Sequence, residues 1–181
     1  MHDDVEKVLI DEDVIEKRID VLAEHILEEF CGRKFVVVVI MKGALVFTAD
    51  LLRRMPIPLE IECINVASYH GATESSGQVD FLDAKLPPVG GRSVLLIDDI
   101  LDTGRTLAAV GQKLREQGAE MIKSCVLLCK DKERAAEVEA DHVGVHIGDE
   151  FVVGYGLDFR GLYRNLPFVG VLKEKIIRNP P

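Results

Sequence analysis

Three carboxylates stand next to a segment that could bind an anion. Residues 94–107 read VLLIDDILDTGRTL, so an apolar run leads into Asp98 and Asp99, and Asp102 follows shortly after. Thr103-Gly104-Arg105-Thr106 comes next and opens a stretch with helical periodicity. Main-chain N–H groups at the start of a helix attract anions, and threonine hydroxyls add donors. We therefore expect this segment to hold an anionic ligand such as a phosphate monoester.

A purely structural role would explain only part of this pattern. Asp99 or Asp102 could cap the following helix, as aspartate often does. A cap needs one carboxylate, however, whereas clustered carboxylates repel one another unless a cation or a ligand neutralises them. The spacing therefore favours a binding or catalytic site over a simple helix cap.

The composition is that of a globular protein and restricts the partners. The chain has 181 residues, 48% of them apolar, and a formal net charge of −9. This acidic balance argues against nonspecific binding to nucleic acid or to acidic membranes. The cysteines, Cys31, Cys63, Cys125 and Cys129, form no Cys-x-x-Cys pair, and no signal peptide or long apolar span is evident. We expect reduced, buried thiols and a cytoplasmic location.

The hydrophobic pattern predicts helices and strands in alternation. Helices are expected at residues 13–30, 44–55 and 106–118, with a short helix or turn at 131–138. Strands are expected at residues 35–41, 59–69, 94–98, 123–130, 142–147 and 151–158, and a mobile loop at 70–80. Strands that alternate with helices form a parallel sheet, and such a sheet binds ligands at the carboxyl ends of its strands.

Several charged residues fall at or just past the predicted strand ends, and we expect them to share one site. They are Lys42, Asp98, Asp99, Lys130 and Asp158. His142 and His146 lie on one face of a predicted strand and resemble a metal-binding pair. Because the sequence places no third ligand beside them, we expect these histidines to be structural.

The opening motif resembles a known family signature. LIDDILDTGRTL is similar to the signature of the type I phosphoribosyltransferases, which bind phosphoribosyl pyrophosphate. The resemblance implies that Asp98 and Asp99 contact the ribose diol and magnesium (Mg2+). It implies that Thr103-Gly104-Arg105-Thr106 surrounds the 5-phosphate. It also implies the family's α/β fold, a mainly parallel twisted sheet flanked by helices, with a small hood over the carboxyl ends of the strands.

Other segments narrow the resemblance to the hypoxanthine-guanine members of that family. IMKGALVF at 40–47 is similar to the family's pyrophosphate loop, in which a cis peptide precedes the lysine, here at Met41-Lys42. LLCK at 127–130 is similar to the strand that ends in a purine-reading lysine, and 151–172 is similar to the 6-oxopurine enzymes. Ser68 and Tyr69 would open a flexible lid over residues 68–80. We expect a single domain over residues 1–181, with a core at about 30–150 and a hood built from the N-terminal residues and 151–181.

The resemblance also implies individual roles. Asp102 would act as the general base, because a neutral 6-oxopurine is a poor nucleophile until its N–H proton is removed. Lys130 would donate to the 6-oxo group and so select oxopurines over aminopurines. The remaining residues form two sets: Phe151, Val152 and Asp158 at the purine, with Asp158 also near magnesium, and Lys42, Gly43 and Arg164 at pyrophosphate.

Structural alternatives exist for several of these residues. Asp102 could serve only as a helix cap, and Lys130 could be a solvated lysine at a strand end. Phe151 and Val152 could be strand core, and Arg164 could be an ordinary surface arginine. Two departures from the family pattern also affect geometry. Asp98 stands where the family usually has glutamate, and Cys129-Lys130-Asp131 stands where Asp-Lys-Pro is common.

The implied function is purine salvage. The enzyme would transfer the phosphoribosyl group from phosphoribosyl pyrophosphate to hypoxanthine or guanine, giving IMP or GMP and pyrophosphate. It would act as a homodimer or homotetramer, and we expect no nucleic-acid or membrane partner. An alternative is an RNA-binding attenuation regulator on the same scaffold, which resembles this chain around residues 98–106. Such regulators typically lack an aspartate at position 102, and an RNA binder requires a basic face. Asp102 and the acidic balance therefore favour the enzyme.

Overall fold

The computed structural model describes residues 1–67, 79–83 and 85–179 of the chain. The predicted lid falls largely outside these residues, because Ser68, Tyr69 and 70–78 are not among them. Within the described part, the elements are a short 3-10 helix at His2–Asp4, then β1 (Val5–Ile10), α1 (Glu12–Glu29), β2 (Phe35–Met41), α2 (Leu45–Arg53), β3 (Glu60–Ala67), β4 (Asp80–Phe81), β5 (Ser93–Leu101), α3 (Arg105–Glu116), β6 (Met121–Lys130), β7 (His142–Ile147), β8 (Val152–Val153), β9 (Val169–Leu172) and α4 (Glu174–Arg178).

The main sheet has the strand order β4-β3-β2-β5-β6-β7. Its strands are parallel except for β4, which pairs antiparallel with β3. The FVVVVIM run of β2 is almost entirely buried, because helices cover both faces of the sheet. Alternate residues of β2 enter two cores: Val37 and Val39 pack on the side of α1 and α2, and Val36 and Val38 pack on the side of α3. This confirms the predicted parallel α/β sheet.

A second, smaller sheet forms the hood. It has the order β1-β9-β8 and is antiparallel, so the start of the chain pairs with its last strand. Val153, Tyr163, Leu166, Phe168 and Leu172 form a separate apolar cluster beneath it. The predicted strand at 151–158 was too long, because only Val152–Val153 pairs and glycines with positive φ bend the chain directly afterwards.

An irregular step in β5 shifts the side-chain alternation near the first aspartates. Ile97 packs on the α1 side of the sheet, and Ile100 does so too, although strict alternation would place them on opposite faces. Leu101 consequently faces α3. The strand continues to Leu101 rather than ending at residue 98 as predicted, so Asp98 and Asp99 lie within the irregular step.

Two other expectations were wrong. Residues 131–138 form neither a helix nor a regular turn but an irregular segment with bends. Cys125 and Cys129 are buried, but Cys31 and Cys63 are exposed, because they lie after α1 and on the partly open outer strand β3. No helix of the described residues is long and apolar enough to cross a bilayer.

Candidate active site

A cavity of about 460 Å³ opens where the strands of the main sheet end beneath the hood, a size typical of small-molecule sites. The described residues predicted for the site line this cavity, with Arg105 as the exception: Lys42, Gly43, Asp98, Asp99, Asp102, Thr103, Gly104, Thr106, Lys130, Phe151, Val152, Asp158 and Arg164. Arg105 is the first residue of α3, and its side chain is exposed. The topology therefore brings together side chains from four separate stretches of the sequence.

The loop before α3 exposes main-chain donors to the cavity. The first N–H groups of a helix have no intrahelical acceptor, and no acidic residue lies in the first turn of α3 to occupy them. Gly104 has a φ of 79°, and a Cβ there would lie 2.6 Å from Val138 Cγ1. The main-chain N–H groups of Ala135 and Ala136 donate to the Thr103 carbonyl at 3.1 and 3.2 Å. Residues 131–138 thus brace a loop that is suited to an anion.

Asp98, which is buried, and Asp99, which is partly buried, form an acidic pair that lines the cavity. Burial raises the pKa of both carboxyl groups, and the charge of Asp99 raises the pKa of Asp98 further. Each carboxylate accepts one local hydrogen bond, Asp98 Oδ1 from the Asp99 N–H at 3.0 Å and Asp99 Oδ1 from the Ile100 N–H at 2.8 Å. These bonds leave acceptor capacity for ligand hydroxyls or a cation.

The β2–α2 loop fits tightly between Asp99 and the hood. The Met41-Lys42 peptide is cis, as the family resemblance implied. A Cβ on Gly43 would lie 1.7 Å from Asp99 Oδ2, and a Cβ on Gly156 would lie 2.1 Å from the Gly43 carbonyl oxygen. Gly156 therefore has no room for a side chain, whereas a side chain at position 43 would have to displace the Asp99 carboxylate or the loop. The Lys42 side chain is exposed at this edge of the cavity.

Arg164 is held at the opposite flank by the hood. Its Nη1 donates to the Gly156 carbonyl at 2.6 Å, and its Nη2 lies 2.5 Å from Asp158 Oδ1. Asp158 Oδ2 accepts the Gly161 N–H at 2.6 Å. These contacts orient the guanidinium at the cavity wall, where its planar donors suit a phosphate group. Arg164 is therefore not a freely solvated surface arginine.

The opposite wall carries the residues that the family resemblance assigns to the purine. Lys130 is buried at the end of β6, and its Nζ lies 3.6 Å from Asp102 Oδ2. Phe151 is 49% exposed and packs edge-to-face on Phe159, with ring centroids 5.9 Å apart, so it is not a core residue. Val152 is buried in β8. A flat ligand placed here would meet an aromatic ring, an ammonium group and a carboxylate.

Sequence reasoning missed two charged residues beside Asp102. Lys132 Nζ lies 2.5 Å from Asp102 Oδ1 and 2.8 Å from Asp149 Oδ1. Lys132 follows Lys130 by two positions, and Asp149 precedes Phe151 by two. Their charges and their nearness to predicted site residues were visible in the sequence, but their pairing depends on how two loops meet.

Comparison with known proteins agrees with this geometry. Residues 9–160 match the phosphoribosyl transferase domain family. The hypoxanthine-guanine phosphoribosyltransferase of Staphylococcus aureus is 40% identical over 179 residues, which are 99% of this chain and 100% of that protein. The chain belongs to the phosphoribosyltransferase family.

Two further members of the family show how widely the similarity extends. The bifunctional protein TilS/HprT of Listeria monocytogenes is 44% identical over 176 residues, which are 97% of this chain but only 27% of that longer protein. The structure of the Trypanosoma cruzi hypoxanthine phosphoribosyltransferase in complex with the product IMP is 33% identical, with a TM-score of 0.88. That match covers 97% of this chain and 98% of the Trypanosoma chain.

The phosphoribosyltransferase family implies magnesium, and the acidic residues fit a partial ligand set for it. No group of three or more His, Cys, Asp or Glu side chains among the described residues could hold a metal alone. Magnesium commonly uses one or two carboxylates and completes its shell with phosphates and water. The Asp98–Asp99 pair fits that requirement. His142 Nε2 lies 2.8 Å from Glu29 Oε2, and His146 Nδ1 lies 2.9 Å from Asp131 Oδ1.

Proposed function

We propose that this phosphoribosyltransferase transfers the 5-phosphoribosyl group of phosphoribosyl pyrophosphate to hypoxanthine or guanine, giving IMP or GMP and pyrophosphate. The observation that carries this proposal is one cavity that joins the α3 N-terminus, the Asp98–Asp99 pair and the Lys130–Asp102 wall. The first two features suit a sugar phosphate, and the third suits a 6-oxopurine. Relatives named for the same reaction support the assignment.

The phosphate end of the substrate would be held by the loop at 103–106. Main-chain N–H groups and the hydroxyls of Thr103 and Thr106 would donate to the 5-phosphate, with Arg105 contributing its main-chain N–H. Asp98 and Asp99 would accept hydrogen bonds from the ribose hydroxyls. These contacts fix the anomeric carbon at a defined position over the cavity, which lowers the entropic part of the barrier.

The leaving group would lie between the β2–α2 loop and the hood. Lys42, the Gly43 N–H and Arg164 are the protein groups available to receive charge as the anomeric C–O bond to pyrophosphate breaks. When bound through Asp98, Asp99 or Asp158, magnesium supplies further neutralisation of the pyrophosphate oxygens. Ser68 and Tyr69, in the lid proposed from the family resemblance, would exclude water that could otherwise capture the sugar cation.

The purine would complete the reaction from the other wall. Its imidazole nitrogen forms the new bond to the anomeric carbon, and its N–H proton passes to Asp102. Lys130 would donate to the 6-oxo oxygen, while Phe151 would stack on the ring. Main-chain groups of Val152 and Asp158 would face the purine edge at the 2-position. An aminopurine would bring an amino donor, instead of an acceptor, against the Lys130 ammonium, so adenine should be rejected.

A coupled assay that follows pyrophosphate release tests this proposal. The enzyme would be supplied with phosphoribosyl pyrophosphate, magnesium and one purine at a time: hypoxanthine, guanine, xanthine or adenine. We expect pyrophosphate and nucleoside monophosphate in equal amounts with hypoxanthine or guanine, and little product with adenine. Absence of transfer to every 6-oxopurine would contradict the proposal. The same assay ranks the three oxopurines, which depends on main-chain geometry near the 2-position.

The wider assignments are also proposals. We propose a homodimer or homotetramer, in keeping with the family resemblance and with exposed Leu45 and Ile61 on α2 and β3. Light scattering on the purified protein measures its mass.

The described thiols are free, as expected in the cytoplasm, where we propose that the enzyme acts. The RNA-binding regulator is not favoured, because the relatives are phosphoribosyltransferases.

A further inference from the structure

A bridge of alternating charges lies behind the proposed base. Asp102 is contacted on both carboxylate oxygens, by Lys132 Nζ at Oδ1 and by Lys130 Nζ at Oδ2. Both lysines also reach Asp149 Oδ1, at 3.3 Å from Lys130 and 2.8 Å from Lys132. Four side chains from three segments thus form one network at the purine wall.

The two lysines differ in what they can do for a substrate. Lys130 lines the cavity and is therefore placed to contact a ligand directly. Lys132 does not line the cavity, and the carboxylates it contacts are Asp102 and Asp149. Those contacts raise the pKa of the Lys132 ammonium, with Asp102 the larger cause, so it remains charged.

The backbone around Lys132 is restrained on both sides. The Asp131 N–H donates to the Ile147 carbonyl at 2.9 Å, and the Ala135 and Ala136 N–H groups donate to the Thr103 carbonyl. Lys132 therefore extends from a segment that is hydrogen-bonded both to β7 and to the loop at 103–106. Its partner Asp149 stands two residues before Phe151. The Lys132 bridge consequently connects the proposed base to the loop that carries the stacking ring.

From this geometry we propose that Lys132, anchored by Asp149, is a positioning residue for the phosphoribosyl transfer. It fixes the plane of the Asp102 carboxylate so that Oδ2 faces the purine while Oδ1 is held. The inference rests on the proposed function, since it assigns Lys132 to act through Asp102. Lys132 contributes to proton removal and does not contribute to binding of the sugar phosphate.

A double-mutant cycle tests this inference. The variants are Lys132→Met, Asp102→Asn and the combination of both, with Lys132→Arg as the conservative replacement. We expect Lys132→Met to lower kcat roughly tenfold, with the KM for phosphoribosyl pyrophosphate within about twofold of wild type. In the Asp102→Asn background, Lys132→Met should cause little further loss. Lys132→Arg should retain most of kcat, because its charge still reaches both carboxylates.

Controls separate this inference from folding and from the proposed function. Lys113→Met removes an exposed lysine of α3 that pairs with Glu116, and it should leave kcat unchanged. If Lys132→Met unfolds, Asp149→Asn offers a second test, because it removes the anchor while leaving the lysine. Asp149→Asn should lower kcat in the wild-type background. In the Asp102→Asn background it should cause little further loss. The role of Lys132 would be overturned if Lys132→Met left kcat unchanged or if the losses in kcat were additive in the cycle. It would also be overturned if the KM for phosphoribosyl pyrophosphate rose by as large a factor as kcat fell. A wild-type enzyme without oxopurine activity would instead overturn the proposed function.

Discussion

At the scale of single residues, the aspartates of the DDxxD motif differ in their electrostatic surroundings. Asp98 is buried and Asp99 beside it is partly buried, and desolvation raises the pKa of both. Asp102, three residues beyond Asp99, lies between two lysines. A ligand hydroxyl or a cation would stabilise the Asp98–Asp99 pair, whereas two ammonium groups already contact the Asp102 carboxylate. One short sequence therefore holds its carboxylates in two different electrostatic environments.

The raised pKa of Asp98 gives a prediction about stability. A carboxyl group whose pKa is higher in the folded than in the unfolded protein lowers the free energy of unfolding as pH rises above its ordinary value of 3.8. Asp98→Asn keeps the oxygen that accepts the Asp99 N–H but removes the charge. We expect it to raise the free energy of unfolding at pH 7 by about 1–3 kcal/mol, and to have little effect below about pH 4.

Urea unfolding at both pH values measures this difference. Asp141 offers a control of opposite sign: burial raises its pKa, but hydrogen bonds from Ser124 and the Lys123 ammonium lower it overall. Asp141→Asn should therefore destabilise the protein at pH 7. Equal destabilisation by both substitutions at neutral pH would show that the charge of Asp98 is compensated within the protein.

Asp102 carries the prediction that concerns catalysis. Asp102→Asn removes the proton acceptor but keeps the size of the side chain. General-base removal commonly costs about 10²–10⁴-fold in rate, and we expect kcat to fall within that range. Affinity for IMP, measured by calorimetry, should stay within a few-fold of wild type, because the phosphate and ribose contacts do not involve this side chain. Asp131→Asn, in an exposed pair with His146, is the matched control. Unchanged turnover in Asp102→Asn would remove this residue from the mechanism.

At the scale of elements, the β2–α2 loop makes the tightest contact of the site. A Cβ on Gly43 would overlap Asp99 Oδ2, so Gly43→Ala must displace either the loop or the carboxylate. Overpacking of this kind costs about 1–3 kcal/mol. We expect the KM for phosphoribosyl pyrophosphate to rise roughly tenfold or more, in steady-state kinetics with hypoxanthine saturating.

A second glycine provides the control for that substitution. Gly111 lies inside α3, and a Cβ there would lie 3.6 Å from its nearest neighbour, Nη1 at the end of the Arg115 side chain. Because alanine also has the better helix propensity, Gly111→Ala should preserve KM and leave stability unchanged or about 1 kcal/mol higher. If the two substitutions had the same small effect on KM, the close approach of Gly43 to Asp99 would not matter for substrate binding.

The same scale shows what the sequence could and could not predict. The β2, β5 and β6 strands and the α1 and α3 helices have long apolar patterns, so their positions were close to those predicted. The β1–β9 pairing was not predicted, because it joins short strands from opposite ends of the chain. The irregular step in β5 was also missed, since periodicity assumes regular alternation. The motifs predicted residues that the fold brings to one cavity, but the Lys132–Asp149 contact required knowledge of loop positions.

At the scale of the whole molecule, the proposed site is assembled from two sheets. The main sheet supplies the loop at 103–106, the acidic pair and Lys130, while the hood supplies Phe151, Asp158 and Arg164. A substrate that contacts both parts would connect them. The central claim is that each part of the ligand meets its own electrostatic environment: main-chain donors for the phosphate, acidic side chains for the diol and the Lys130–Asp102 wall for the base.

A crystal structure of the protein with IMP and magnesium tests that claim most directly. The account predicts the 5-phosphate at the N–H groups of residues 103–106 and the ribose hydroxyls at Asp98 and Asp99. It further predicts the purine beside Phe151, with its 6-oxo oxygen within hydrogen-bond distance of Lys130 Nζ. IMP bound in the reverse orientation, or outside the cavity, would contradict the account.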